Sequence, residues 1–193
     1  MAFQRLKIDG YGQVELNNVA FRRDGRIEAQ YKLNATDFAD VPIENGMIVK
    51  VDAVNREIRF STSSTTKQQT MVSALVYSAE KLYDDAKSGL KNFKLENSDV
   101  YPRVGYLAAG DKFTTNCIAY DKTVFSSDDE FKTAISAALA TPLDLAYTVI
   151  ATESETGALV VDIPQVVSTT AKYAVTKVTT MPDGQYALQF VAL

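Results

Sequence analysis

Histidine is missing from all 193 residues. That removes Ser-His-Asp and Cys-His nucleophile systems, every histidine-metal site and the usual general base near neutral pH. Cysteine occurs once, at Cys117, which excludes an intrachain disulfide framework and any multi-cysteine zinc site. Cys117 lies in FTTNCIAY, which reads as a strand, so a buried and inert thiol is expected. No charge-free run approaches the roughly 18 apolar residues of a membrane helix. MAFQRLKIDG carries no apolar signal-like stretch, so neither a membrane partner nor a secretory route is expected, and the Asn34-Ala35-Thr36 sequon has no expected role. An excess of positive charge is lacking too: the net charge is −4, whereas nucleic-acid binding needs a basic face. No solenoid-type repeat is visible.

What is present is an ordinary globular composition, 46% hydrophobic and 23% charged, in a chain long enough to bury a proper core without staples. Residues 1–35 alternate weakly and are broken by glycine. GQVELNNVAFRRDGRIEAQYKL could form a hairpin turning at Arg23-Asp24-Gly25, and the segment reads as an extended arm or edge ribbon with little to give to a core. Residues 36–124 read as a β-rich region with one short helix. GMIVKVDA and REIRFS form a hairpin around Val54-Asn55, STSSTTKQQT is an exposed loop, MVSALVY a buried strand and SAEKLYDDAKSGLKNF the helix.

Residues 125–193 read as a helix followed by antiparallel strands, either a unit of their own or one compact unit with the preceding region. In SSDDEFKTAISAALATP, Ser127 and Glu130 have capping-box spacing. Phe131, Ala134, Ile135, Ala138 and Leu139 form an apolar stripe, and Pro142 stops the helix. LAYTVIAT, ALVVDI, KYAVTKVTT and QYALQFVAL follow as strands, the last apolar on both faces and therefore interior to a sheet. Met181-Pro182-Asp183-Gly184 is a turn. The fold class expected is mainly β, a β-barrel or sandwich-like set of antiparallel sheets with two short α-helices, α+β overall.

RVGYLAAGDKFTTN poses the one local question about chemistry. A phosphate loop would need more glycine, a Lys-Ser or Lys-Thr pair and a following helix, and none is present; Gly110 therefore marks a corner between two strands. The acidic groups Asp84-Asp85 and Asp128-Asp129-Glu130 fall at helices, where capping or solvated roles outweigh a paired-carboxylate hydrolase. Asp37 and Asp40 lack an EF-hand ligand ladder, and Gly10-Tyr11-Gly12 lacks the rest of a dinucleotide fingerprint. No catalytic residue, cofactor or metal is expected.

Taken together, ENGMIVKVD, VYSAEKLYDDAKSGLKNF and RVGYLAAGDKFTTN resemble, in order, the head decoration proteins of tailed bacteriophages, in which an "NGM-V" strand precedes a short helix and a "GD-F" turn. YAVTKVTTMPDGQYALQFVAL is similar to their closing hairpin. The resemblance covers about residues 44–120 and 172–193. It implies a non-enzymatic accessory protein that decorates or cements a phage head, made in the host bacterial cytoplasm and residing on the capsid surface. The resemblance also implies binding to the major capsid protein, to copies of itself or to both, as a homo-oligomer on the particle. A tail or collar protein and a carbohydrate-binding virion module are the alternatives. Residues 1–33 carry a net charge of +2 within an acidic chain, so Arg5, Lys7, Arg22, Arg23 and Arg26 are the candidate capsid contacts.

Overall fold

The computed structural model describes residues 3–24, 30–60, 71–78, 91–96, 101–140, 148–163 and 171–193. The expected loop over 61–70, the expected helix over 78–93 beyond Ser78 up to residue 90, and Arg26, Asp84-Asp85 and Pro142 lie outside them. In chain order the first elements are β1 (Phe3–Arg5), β2 (Val14–Asn18), helix α1 (Ala20–Arg23), β3 (Lys32–Leu33), β4 (Ile43–Glu44), β5 (Ile48–Asp52) and β6 (Glu57–Arg59). Next come β7 (Val72–Val76), β8 (Lys94–Leu95), β9 (Val104–Tyr106), β10 (Lys112–Thr115) and β11 (Ile118–Asp121). Helix α2 (Asp128–Ala140), β12 (Ile150–Thr152), β13 (Leu159–Asp162), β14 (Tyr173–Thr180) and β15 (Tyr186–Ala192) complete the chain. The class is mainly β, α+β overall, with multiple sheets that are mostly antiparallel, the pairs β11–β13 and β3–β6 being parallel.

An eight-stranded sheet runs β1-β11-β13-β12-β14-β15-β10-β2, a five-stranded sheet runs β3-β6-β5-β7-β9, and β4 pairs with β8. Within the large sheet, β11 and β10 stand five strand positions apart, about 24 Å if laid flat at about 4.8 Å per step. Yet they are consecutive in sequence and joined only by Asn116 and Cys117, a link reaching at most about 11 Å. The sheet must therefore curl until its ends meet, which makes it barrel-like. The expected single strand FTTNCIAY is bent here, and the bend separates the faces. Phe113 joins the core inside the curl while Cys117 joins a second core outside it, so the two do not share a face.

Alternation along β11 and β13 builds both cores. Ile118, Tyr120, Leu159 and Val161 point inward; Ala119 and Val160 point outward, toward Val49, Ile58, Ala74 and Val76 of the smaller sheet. Small outward residues let the two sheets approach closely. Phe113 and Phe190 stack across β10 and β15 with centroids 5.5 Å apart.

Helix α2 covers the curl with the expected stripe: Phe131 and Ile135 are buried, and Phe131 stacks on Tyr120 at 4.8 Å. Its start differs from a simple capping box. The Glu130 N–H donates to Ser127 Oγ at 3.2 Å, but the Glu130 carboxylate accepts from the N–H and hydroxyl of Ser126, one residue beyond the expected partner. The β14–β15 hairpin turns at Met181–Gly184, and β15 is interior, flanked by β14 and β10.

The N-terminal segment departs from expectation in two ways. Its described residues form no hairpin: β2 pairs with β10, β3 pairs in parallel with β6, and Ala20–Arg23 is helical where a strand leading to the turn was expected. It also gives the core large groups, since Leu6, Val19 and Phe21 are all buried in the first cluster. Phe21 lies flat over Gly105, where an added Cβ would stand 2.6 Å from its ring.

Candidate functional site

The described candidate contact cations, Arg5, Lys7, Arg22 and Arg23, lie on different elements: Arg5 on β1, Lys7 just after it, and Arg22 and Arg23 on α1. On β1, both terminal nitrogens of Arg5 bind the carboxylate of Glu44, which also accepts the Gly12 N–H and is 4% exposed. Arg5 is thus engaged in an internal ion pair with Glu44. Lys7 is exposed, and its backbone N–H donates to Asp128 Oδ2 at 3.0 Å. Arg22 and Arg23 are exposed on α1, reaching back to the Leu16 carbonyl and to Asn18 Oδ1, each at 3.3 Å.

The corner in RVGYLAAGDKFTTN connects β9 of the small sheet to β10 of the large one, with Gly110 at φ +89°. Asp111 is its fastening point. One carboxylate oxygen accepts the Ala108 N–H and the other the Ala20 N–H, both at 2.9 Å, so the corner also holds the first free donor of α1. Ala192 N–H donates to the Asp111 carbonyl, which pins the corner to the end of β15.

The most chemically loaded cluster was not legible in the sequence. Lys50 of β5 lies 2.9 Å from Glu153, just after β12, and donates to Ser73 of β7 at 2.7 Å. The Ser73 hydroxyl donates to the same Glu153, as do the Tyr173 hydroxyl and the Lys172 ammonium, each at 3.2 Å. Burial works to raise the Glu153 carboxyl, but donation from Ser73 and Lys50 prevails and holds it at about 2. Burial lowers Lys50 against the pull of Glu153, and burial beside Glu153 pushes the Tyr173 phenol well up.

A serine beside a buried lysine has the parts of a Ser-Lys nucleophile pair. Here both groups also engage Glu153: the carboxylate stands 2.9 Å from the Lys50 ammonium and accepts the Ser73 hydroxyl. What the cluster does is join the two sheets. One signal did exist, since Lys50 is a lone charge inside the otherwise apolar run MIVKV.

Among the described residues no group of three or more His, Cys, Asp or Glu side chains could hold a metal ion, and no helix is long and apolar enough to cross a membrane. The acids of 128–130 serve locally: Asp128 accepts from the Tyr120 hydroxyl at 2.7 Å and Asp129 is 3.9 Å from Lys132. Cys117 is fully buried, and burial pushes its thiol up to about 12. Comparisons of the chain with family models, with curated proteins and with solved structures returned no match.

Proposed function

We propose that the protein is a non-enzymatic virion structural protein, an accessory decoration or cement protein that binds the major capsid protein on a phage head. The observation that supports this best is the meeting in space of the stretches that carry the sequence resemblance. Gly46 of ENGMIVKVD packs so closely on Thr115 of GDKFTTN that a Cβ would stand 2.0 Å from the threonine hydroxyl. β10 of that second stretch pairs with β15 of the closing hairpin from Lys112↔Val191 to Thr115↔Leu188. Three separate stretches therefore form one packed unit, as parts of a common scaffold would. The titratable groups buried beside it are spent on joining sheets, which suits a protein that acts through its surface. Many weak contacts on one particle then add through avidity.

The test is sedimentation of the purified chain with pre-expanded and expanded heads of the phage that encodes it, followed by imaging. Saturable binding to either form at a fixed ratio to the capsid protein is expected. Free protein left in the supernatant with both forms, or a specific glycan on an array, would turn the reading toward a tail or sugar-binding role.

A further inference from the structure

We propose that the free edge of β2, together with α1 and the 107–112 corner, is a docking surface for an extended, carboxylate-rich segment of a partner protein. The inference rests on the capsid reading only for who supplies that segment.

β2 is the last strand of the large sheet, paired with β10 on one side and with no strand on the other among the described residues. Such an edge offers unpaired backbone donors and acceptors to an incoming strand. Val14 and Leu16 pack against the first core, so the edge is held firmly, while Asn17 and Asn18 are exposed.

Three cations converge on the far end of this edge. Arg23 touches Asn18, Arg22 touches Leu16, and exposed Lys112 is the cross-strand partner of Asn18. In these contacts each guanidinium uses one donor out of the five it carries. No carboxylate among the described residues pairs with any of the three. Among the described residues, Asp24 after α1 and Asp111 adjoin these cations in sequence and Glu15 lies on β2; both oxygens of Asp111 are taken by backbone donors. The corner itself adds no obstacle, because Ala108, Ala109 and Gly110 are exposed and a Cβ at Gly110 would meet nothing within 4 Å.

An acidic strand matches both features: its backbone extends the sheet and its carboxylates meet Arg22, Arg23 and Lys112. A nucleic acid offers the charge without the strand, and meets a protein whose net charge is −4.

The experiment uses the full chain and a short fluorescent peptide of alternating Glu and Thr, with single-stranded DNA and a Lys-Thr peptide as competitors for the same surface. The Glu-Thr peptide should bind, weaken as salt rises, and slow hydrogen exchange at residues 14–18. The triple variant Arg22→Ser/Arg23→Ser/Lys112→Ser should weaken it about tenfold or more, while Lys7→Ser/Lys122→Ser, the same kind of charge loss elsewhere, should change it less than about twofold. Equal binding by the triple variant, preference for DNA or the Lys-Thr peptide, no binding, or protection away from β2 would each overturn the proposal. Heads are assayed in parallel. Peptide binding without head binding would remove the capsid reading and leave this surface standing; head binding that the triple variant retains in full would do the reverse.

Discussion

Lys50 and Glu153 stand 2.9 Å apart with side chains 4% and 5% exposed, one in the smaller sheet and one at the end of a strand of the larger. Two charges removed from water in this way stabilise the fold only as a pair, because either alone is stranded. Glu153→Ala should therefore cost about 3 kcal/mol or more, measured by denaturant midpoint, and Lys50→Ala a comparable amount. The double variant should cost clearly less than the sum. Additive losses would mean that the contact carries no coupling.

The same carboxylate sets an acid dependence. Its folded value of about 2 lies below its ordinary 4.5, so its contribution is complete above about pH 4.5 and declines as pH falls toward 2. That contribution is on the order of 3 kcal/mol. Wild-type stability should fall over this window more steeply than that of Glu153→Gln. Parallel pH profiles would count against the assignment.

Two glycines with the same backbone sign should answer differently to alanine. Gly46 (φ +83°) has Thr115 Oγ1 at 2.0 Å from its Cβ position, and Gly110 (φ +89°) has nothing within 4 Å. Gly110→Ala should cost about 1–2 kcal/mol, the left-handed backbone term alone. Gly46→Ala should cost that plus overpacking of about 1–3 kcal/mol. Equal thermal shifts would show that the Gly46–Thr115 contact relaxes freely.

Phe21 decides whether the N-terminal segment is an appendage. It is 1% exposed and its ring centroid is 4.8 Å from that of Tyr77. Phe21→Ala should cost about 3–5 kcal/mol, and deletion of residues 1–24 should abolish the cooperative melt. A truncated chain that still melts cooperatively would return the segment to the status of a dispensable arm.

At α2, Ser127→Ala should lower stability by about 1 kcal/mol through loss of the acceptor for the Glu130 N–H. An unchanged denaturant midpoint would place the working cap elsewhere, with Ser126 and Glu130 the pair to test next.

The sequence by itself determined whatever depends on near neighbours. Ser127, Glu130 and the stripe from Phe131 to Leu139 specify α2 because capping and a 3.6-residue period act within a few turns. Pro182 and Gly184 specify the last hairpin, and Gly110 the corner, because backbone preference is local.

Only the tertiary structure decided who pairs with whom. VELNN could have paired with the strand that follows it. It pairs with β10 instead, because Phe21 finds its place over Gly105 and Asp111 caps the helix that carries it there. Asn116 and Cys117 look like mid-strand residues until the curl of the large sheet requires a bend at that point. Arg5 and Arg22 look alike as cations in an N-terminal segment; Glu44 pairs with one, and no carboxylate among the described residues pairs with the other. Lys50, Ser73, Glu153 and Tyr173 carry no common signal in the chain, since what unites them is the distance between two sheets, and that distance is set by the packing of Ala119 and Val160 against Val49 and Ala74.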